Sequence, residues 1–396
     1  MSWPLVALKD CCTVVGGATP KREVEAYWDN QDIPWVTPKD ISKIKSIYFD
    51  DAPEYISQKG FDSCAAHKLP KGSLLLTSRA PIGNVAITTR ELCTNQGFKS
   101  LVPNENVDIK YLYFCMLYSA SRLDNEGNGA TFKEVSKKVV EAFKIPLPPL
   151  ETQKQIAAVL EKADQLRKDC QQMELELNSL AQSVFIDMFG DPVTNPKGWE
   201  LTNLPNHGSF KNGLNFSKDD SGVSLKYLGV GDFKSLSSIR EIDNLGFVEV
   251  NSLPANDYLL KNGDLVFVRS NGNKALVGRC ISIYPGDEPV TFSGFCIRYR
   301  VESYSMEPEW LNYMLRTASM KQAMLEGGQG ANIQNINQKI LSALEIPLPP
   351  IDKQRLFCKA IESYRESLFQ LNEYSQELND LFNSLMQKAF KGELNL

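Results

Sequence analysis

The sequence predicts an α+β fold in which two α/β domains are joined by two long antiparallel coiled-coil helices, arranged as a pseudo-twofold internal repeat. The first observation is a stretch beginning Ile-Pro-Leu-Pro-Pro that occurs twice, with Pro149 matching Pro350 exactly 201 positions later and no gap between the copies. The second is that both copies continue into a long run without internal proline or glycine. A repeat of this length indicates a duplicated structural unit.

Each repeated run predicts a helix of about 38 residues, roughly 57 Å long at 1.5 Å per residue. Its apolar residues recur at alternating steps of four and three, which is the heptad pattern of a coiled coil. The proline pairs set the helix starts because proline inside a helix clashes with the preceding turn, and Gly190 and Gly392 are natural stops. The predicted apolar stripe comprises Val159, Ala163, Leu166, Cys170, Met173, Leu177, Leu180 and Val184 in the first copy and Ala360, Tyr364, Ser367, Leu371, Tyr374, Leu378, Leu381 and Leu385 in the second.

A helix of this length needs a partner for its apolar stripe. Either each helix packs on its own globular domain, or the two helices pair with each other. We favour an antiparallel pair, because the intervening domain leaves at the end of the first helix and returns at the start of the second, and those points are neighbours only in that arrangement. The predicted boundaries are two domains at 1–147 and 191–348 and two helices at 148–190 and 349–396.

The segments that precede the helices repeat each other more weakly. The sequence of the first segment predicts strands at 33–36, 74–77 and 85–88 and a helix at 111–119, separated by polar and glycine-rich loops. The sequence TNQGF at 94–98 is echoed by TFSGF at 291–295, and Ser78-Arg79 is echoed by Arg269-Ser270, which places an arginine on the corresponding loop of each half. Because the helices are alike and the domains differ in detail, a shared frame carrying two different recognition surfaces is indicated.

Composition limits the function classes. The net charge of −5 and pI of about 5.4 allow nucleic-acid binding but do not argue for it. Nine cysteines, an odd number without any CxxC spacing, predict a reducing, cytoplasmic compartment. The first ten residues lack the features of a signal peptide, and the longest apolar run, at 111–120, is too short to span a membrane.

No catalytic centre is evident from the motifs. His67 and His207 are far apart and have no metal-ligand spacing, and there is no phosphate-binding P-loop sequence. Gly229 and Gly231 form only an isolated GxG, and no serine or cysteine lies in a nucleophile-elbow context. The sequence therefore favours a binding protein over an enzyme.

Several motifs carry a resemblance to a known family. They are GGATP at 16–20, IPWVTPKDI at 33–41, SRAPIG at 78–83, TNQGF at 94–98 and the two IPLPP-helix units. With these motifs the chain resembles, over its full length, the specificity subunit of type I restriction–modification enzymes. The second half departs from the first, with RSNGN at 269–273 in place of SRAPIG and KNG at 211–213 at its first loop, as expected because the two target-recognition domains of that family normally differ.

The resemblance implies a non-catalytic DNA reader of a restriction system that defends against phage. Each globular domain would be a target-recognition domain for one half of a bipartite site in double-stranded DNA. The paired helices would space the domains and dock two modification subunits, and two ATP-dependent restriction subunits would join for cleavage. No cofactor is expected in this chain, since S-adenosylmethionine, ATP and Mg²⁺ would belong to the partner subunits, and no membrane is involved.

Two alternatives remain open from the residues alone. One is a coiled-coil protein scaffold that never binds DNA. The other is a self-contained DNA methyltransferase, which the missing cofactor motifs oppose.

The candidate DNA-binding residues are chosen by side-chain chemistry. Base edges are best read by Arg, Lys, Asn and Gln, and phosphates by Lys, Arg, Ser and Thr, so loops rich in these residues are the candidates. In the first domain they are Thr19, Lys21, Lys39, Ser78, Arg79, Asn84, Asn128, Thr131 and Lys133. In the second they are Lys211, Asn212, Asn215, Arg269, Ser270, Asn271, Asn273, Lys274, Gln329, Asn332 and Gln334.

Overall fold

A computed structural model of the chain divides into two compact units. Unit 1 comprises Met1–Gln172 and Glu373–Leu396, and unit 2 comprises Met173–Asn372. Each unit therefore contains one globular domain and a part of both long helices. The structure describes residues 3–29, 32–42, 44, 46–79, 81–129, 133–217, 220–233, 237–273, 275–326 and 335–394.

The globular part of unit 1 is a mixed α/β domain. In its described residues the sheets run in the orders β1-β10, β2-β9-β6-β7-β4 and β5-β3-β8. The strands are β1 Leu5–Ala7, β2 Cys12–Gly16, β3 Ile33–Val36, β4 Tyr48–Phe49, β5 Glu54–Ile56, β6 Leu74–Leu76, β7 Val85–Thr88, β8 Cys93–Thr94, β9 Lys99–Pro103 and β10 Lys144–Pro146. The helices are α1 Leu8–Cys11, α2 Pro38–Ile41, α3 Gln58–Asp62, α4 Ile109–Tyr118, α5 Ala120–Asn125 and α6 Lys137–Ala142, with a 3-10 turn at Glu25–Tyr27.

Local sequence explains these elements. The strands predicted at 33–36 and 85–88 are confirmed as β3 and β7. The one predicted at 74–77 ends at Leu76 and is buried on both faces, as expected for a central strand of continuous apolar sequence. The predicted helix is confirmed as α4 but begins at Ile109, because the Asp108 carboxylate accepts a hydrogen bond from the Tyr111 backbone N–H at 2.9 Å and caps its first turn.

Unit 2 repeats the same topology. Its described strands form sheets in the orders β11-β20, β12-β19-β16-β17-β14 and β15-β13-β18, which match those of unit 1 strand for strand. The strands are β11 Leu201–Asn203, β12 Gly208–Asn212, β13 Val223–Leu228, β14 Ser238–Ile239, β15 Gly246–Val250, β16 Asp264–Val268, β17 Cys280–Ile283, β18 Val290–Phe292, β19 Cys296–Val301 and β20 Glu345–Pro347. The helices are α8 Pro308–Leu315, α9 Ala318–Glu326 and α10 Gln338–Ala343, with 3-10 turns at Leu204–Asn206, Val230–Asp232 and Asn256–Tyr258.

The long helices begin directly after the proline pairs. The first, α7 Leu150–Phe189, has 40 residues, and the second is formed by α11 Ile351–Ala360 and α12 Glu362–Lys391. Gly190 and Gly392 follow the helix ends with φ of 79° and 78°, the left-handed conformation in which glycine commonly terminates a helix. The two parts are separated by Ile361 alone, which is fully buried with φ −86° and ψ −4°. Ile361 N donates to Phe357 O and Arg365 N donates to Ile361 O, both at 3.0 Å, so helical hydrogen bonds continue through this residue and the second long helix is confirmed.

The predicted antiparallel pairing is confirmed within each unit. In unit 1 the Arg167 guanidinium, in the first part of α7, lies 4.4 Å from the ring centroid of Phe382 near the end of α12. In unit 2 the ring of Phe185, near the end of α7, lies 5.4 Å from that of Phe357 in α11. The beginning of one helix therefore packs on the end of the other. The helices also pack on the globular domains, as Tyr111 with Phe390 at 5.6 Å shows in unit 1.

The predicted apolar stripe is only half correct. Ala163 and Cys170 are buried, but the alternate heptad position is exposed throughout α7. The reason is that α7 packs on a globular domain as well as on its partner helix, so that other residues, such as Ile156 and Leu160, take the buried face. The exposed members of the stripe are Val159 at 37%, Leu166 at 42%, Met173 at 52% and Leu180 at 44% in α7, and Ala360, Ser367, Tyr374 at 60% and Leu381 at 49% in α11 and α12.

A buried glutamine fixes each domain to the start of a helix. Gln153 is 1% exposed, and its amide donates to Pro148 O at 2.8 Å and Asn106 O at 3.0 Å and accepts from Asp108 N at 2.9 Å. Gln354 makes the same three hydrogen bonds in unit 2, to Pro349 O, Ser305 O and Glu307 N. These bonds satisfy backbone groups that burial would otherwise leave unpaired.

A tryptophan from each domain caps the end of a helix. Trp3 Nε1 donates to Ala389 O at 2.8 Å in unit 1, and Trp199 Nε1 donates to Phe189 O at 2.9 Å in unit 2. The last carbonyls of a helix have no partner within the helix, so these bonds join the domain to the helix end. None of the helices in the described ranges combines the length and apolarity that crossing a membrane requires.

Candidate nucleic-acid interface

In unit 1, three segments meet beside the turn between β8 and β9. The loop after β2 is held to this turn by Ala18 N donating to Thr94 O at 3.0 Å. The loop after β6 is held by Ser78 N donating to Gly97 O at 2.8 Å, and the segment before α6 is held in turn by Val135 N donating to Ser78 O at 2.9 Å. Glycine is required at Gly17, because a Cβ there would lie 2.1 Å from Asn95 O.

Unit 2 forms the same arrangement beside the turn between β18 and β19. Leu214 N donates to Phe292 O at 3.0 Å, Arg269 N to Phe295 O at 2.8 Å, and Ile336 N to Arg269 O at 2.9 Å. Gly213 takes the place of Gly17, since a Cβ there would lie 2.1 Å from Ser293 O. Backbone hydrogen bonds thus bring the loops chosen by side-chain chemistry together within each unit.

The candidate side chains of unit 1 differ in accessibility. Lys21, Lys39 and Asn128 are exposed, and Thr19, Arg79, Asn84 and Lys133 are partly exposed. Ser78 is 1% exposed, so its hydroxyl does not reach the surface of the described structure. Its placement does not favour a direct contact, although its backbone joins two of the loops. Thr131 lies outside the described residues.

Three basic side chains of this surface are paired with carboxylates. Glu134 lies 4.0 Å from the Arg79 guanidinium and 3.5 Å from Lys99 Nζ. Lys133 Nζ lies 2.7 Å from the Asp124 carboxylate. Partly exposed pairs of this kind contribute little to stability, roughly 0–1 kcal/mol, so a stronger anion such as a phosphate can displace the carboxylates at small cost.

In unit 2 the described candidates lie on the corresponding loops. Lys211 Nζ lies 3.5 Å from Asp257 and 4.3 Å from the ring centroid of Tyr258. Asn212 Oδ1 accepts a hydrogen bond from Gln338 Nε2 at 3.0 Å. Asn215 and Asn273 are exposed, and Arg269, Ser270 and Asn271 are partly exposed. Lys274, Gln329, Asn332 and Gln334 lie outside the described residues.

The two arginines do not occupy the same position, which corrects the sequence alignment by one residue. Arg269 has backbone partners that correspond to those of Ser78 in unit 1. The N–H of each donates to a carbonyl of the turn that follows in the chain, between β18 and β19 or between β8 and β9, and the carbonyl of each accepts from the segment after the glycine-rich loop. Arg79 instead corresponds to Ser270, since Arg79 bridges Glu134 and Ser270 bridges Asn335. The unit 1 site therefore presents its arginine one residue later than the unit 2 site.

Two residues at the centre of these surfaces are not among the candidates predicted from the sequence. Gln96 is exposed at the tip of the unit 1 turn, and the Thr19 hydroxyl donates a hydrogen bond to its Oε1. Phe295 is 60% exposed in the unit 2 turn. The signal for both in the sequence is the pair TNQGF at 94–98 and TFSGF at 291–295, which contain Gln96 and Phe295.

The cysteines near the turns are not suited to chemistry. Burial raises the pKa of the Cys93 thiol, just before the unit 1 turn, to about 12, and that of Cys296, in the unit 2 turn, also to about 12. The thiolate is the reactive form of cysteine, so these groups are inert at neutral pH. No cluster of three or more His, Cys, Asp or Glu side chains suited to a metal ion occurs among the described residues. The arrangement offers hydrogen-bond donors, positive charge and one aromatic ring, which are suited to binding.

Comparison with known proteins gives a consistent result. The family model described as type I restriction modification DNA specificity domain matches residues 2–177 and again 196–382, so each match takes one globular domain and most of its helix. The chain is 27% identical to the type I restriction enzyme MjaIX specificity subunit of Methanocaldococcus jannaschii, covering 100% of this chain and 94% of that protein. It is 25% identical to the EcoKI specificity subunit of Escherichia coli K12, covering 69% of this chain and 62% of that protein.

Solved structures share the fold. The S subunit of a type I restriction-modification system from M. genitalium superposes with a TM-score of 0.55 at 15% identity, covering 98% of this chain and 96% of the other. A chain from a structural study of complex assembly and conformational transition of the type I R-M system gives a TM-score of 0.57 at 19% identity, covering 99% and 98%.

Proposed function

The chain belongs to the type I restriction–modification DNA specificity family, and from this we propose that it is the DNA sequence-specificity subunit of such a complex. Each globular domain is a target-recognition domain that reads one half of a bipartite site in double-stranded DNA. The base-edge and phosphate contacts come from the loops that meet at the turn between β8 and β9 in unit 1 and between β18 and β19 in unit 2.

One observation carries this proposal: the two units use the same backbone frame to present different side chains. Sheet orders and loop-joining hydrogen bonds are the same in both. At matching positions, however, unit 1 has Ser78 and Gly97 where unit 2 has Arg269 and Phe295. A duplicated frame with differing loop chemistry is what reading two unlike half-sites requires, since sequence is read by side-chain contacts to base edges.

Catalysis is proposed to belong to partner subunits. Two modification subunits would hold S-adenosylmethionine and methylate adenine, and two restriction subunits would use ATP and Mg²⁺. Exposed apolar residues on the long helices support docking of a partner there: Val159, Leu166 and Leu381 in unit 1, and Met173, Leu180 and Phe369 in unit 2. Val159, Leu166, Met173 and Leu180 recur every seven residues and therefore share one face of α7, and large apolar side chains exposed along one face are a feature of protein interfaces.

The test is methylation mapping with a hybrid chain. The chain and its modification subunit are expressed together, and methylated adenines are mapped on genomic DNA. We expect a single bipartite sequence, and we expect exchange of residues 1–147 for the same segment of a relative to change one half of it and leave the other half intact.

Other outcomes would identify the alternatives. A complex that forms but neither protects nor methylates any specific DNA would indicate a protein scaffold. Methylation by the purified chain alone would indicate a self-contained methyltransferase. Loss of both half-specificities in a well-folded hybrid would show that the domains do not read independently.

A further inference from the structure

We propose that Phe295 is a specificity-determining residue that reads a thymine methyl group in the half-site bound by the second domain. This inference rests on the proposed function and adds to it a residue and the base feature that the residue recognises.

The turn that carries Phe295 is rigidly held. Cys296 N donates to Ser293 O at 2.8 Å, which closes the turn, and Phe295 N donates to Ser293 Oγ at 3.3 Å. Gly294 N donates to Leu214 O, which ties the turn to the loop that carries Asn215. Because the backbone of this turn is already ordered, little conformational entropy is lost when the ring makes a contact. Less of the favourable contact energy is therefore offset.

Phe295 lies among residues suited to base contacts. Its carbonyl accepts the Arg269 N–H at 2.8 Å, which places it beside the first residue of the arginine loop. On the other side, the packing of Gly294 against Asn215 is so close that a Cβ on the glycine would lie 2.1 Å from Asn215 Oδ1. Single exposed apolar residues are common on protein surfaces, but the backbone that carries this ring is joined to two candidate DNA-reading loops, one that begins at Arg269 and one that carries Asn215.

The same turn in unit 1 presents different chemistry from a different position. There Asn95 takes the place of Ser293, since Gly97 N donates to Asn95 Oδ1 at 2.8 Å. Gly97 stands where unit 2 has Phe295, and a Cβ on it would lie 2.8 Å from Pro38 Cγ, so no side chain fits. Unit 1 exposes the Gln96 amide instead. The turn thus presents a hydrogen-bonding side chain in one domain and an apolar ring in the other.

A phenyl ring at this place matches one feature of duplex DNA. Each base pair displays a distinct pattern in the major groove, and the C5-methyl of thymine is the apolar member of that pattern, which Phe contacts in known complexes. Glutamine, by contrast, suits the donor and acceptor pair of adenine. The geometry therefore points to thymine for the Phe295 turn.

The experiment measures binding of the assembled complex of this chain with its modification subunits to duplexes that carry the mapped site. Each thymine of the second half-site is replaced in turn by deoxyuridine, which lacks only the methyl group. We expect one position at which this replacement weakens binding by the wild-type complex about fourfold, the fold-change equivalent to ~0.8 kcal/mol for one buried carbon. The Phe295→Ala complex should bind both duplexes alike, with the affinity of the wild type for the deoxyuridine duplex.

Two control variants make the result specific. Phe295→Leu retains an apolar side chain and should keep most of the discrimination between thymine and deoxyuridine. Gln96→Ala alters the turn of the other domain and should leave discrimination in the second half-site unchanged.

Several outcomes would overturn the inference. One is a second half-site that contains no thymine, and another is that no thymine position is sensitive to loss of its methyl group. The third is that Phe295→Ala lowers the affinity for the thymine and the deoxyuridine duplex by the same factor, as expected if the ring inserts between base steps. All of them are distinguishable from failure of the proposed function, because in that case the wild-type complex would show no specific site to begin with.

Discussion

Glu134 restrains two cations at the unit 1 surface, and its removal should strengthen DNA binding. Its carboxylate lies 4.0 Å from Arg79 and 3.5 Å from Lys99, and the side chains of the three are 42%, 33% and 14% exposed. We consider Glu134→Gln, which keeps the size of the side chain and the backbone bridges of residue 134 with Asn128 and Arg79. The substitution removes one negative charge from the surface that is proposed to face phosphates.

The expected magnitude follows from counterion release. Each added phosphate contact steepens the dependence of log K on log salt by about 0.9, which at 0.15 M salt corresponds to roughly fivefold in affinity. If one of the two cations gains a phosphate contact, we expect the slope of log K against log salt concentration to be steeper by about 0.9. If both cations gain a contact, we expect the slope to change by about twice as much. The stability cost should be small, below ~1 kcal/mol, because partly exposed ion pairs contribute little.

The assay is fluorescence anisotropy of the assembled complex with a labelled cognate duplex over a series of salt concentrations. Asp51→Asn is the matched control, since Asp51 pairs with Arg90 at 3.1 Å but lies beyond the far ends of β4 and β7, away from the loops of the site. Adding Arg79→Ala to Glu134→Gln should cancel the gain if Arg79 is the released cation. The reasoning is refuted if Glu134→Gln changes affinity and slope no more than Asp51→Asn does.

Two further predictions concern unit 2. Arg269→Ala should weaken cognate binding by the assembled complex by about 1–3 kcal/mol if the arginine reads guanine, and normal binding by this variant in a quantitative titration would show that the loop is not a reader. Gln354→Ala should lower the free energy of unfolding by about 3 kcal/mol, because it removes three buried hydrogen bonds worth about 1 kcal/mol each. Urea denaturation measures this change, and Gln165→Ala, at an exposed position of α7, is a control expected to change little.

The sequence determined the architecture because the relevant signals are local or periodic. Proline pairs, terminal glycines and an ungapped repeat define where the helices of each half begin and end, and the routing of the chain favours an antiparallel pair. The single-residue turn at Ile361 between α11 and α12 was not predictable, since no proline or glycine marks it.

Burial along the helices was decided by tertiary structure. The heptad pattern predicts the buried face of a helix that packs on one partner helix, but α7 packs on a globular domain as well. The residues that meet the globular domains, Ile156 in unit 1 and Phe185 in unit 2, are buried, while Leu166 and Met173 on the predicted stripe are exposed. A repeating pattern shows which residues share a face, and it does not show how many neighbours surround the helix.

The candidate interface shows the same division between sequence and structure. Its loops could be selected from composition because polar side chains suited to DNA cluster there, but their convergence depends on backbone hydrogen bonds between segments far apart in the chain. Tertiary structure also decides which residue of each turn presents a side chain. Close packing leaves no room for a side chain at Gly97, whereas the ring of Phe295 is exposed at the matching position. A shift of one residue, as between Arg79 and Arg269, changes which side chain a loop presents, and only the register of the folded chain fixes that shift.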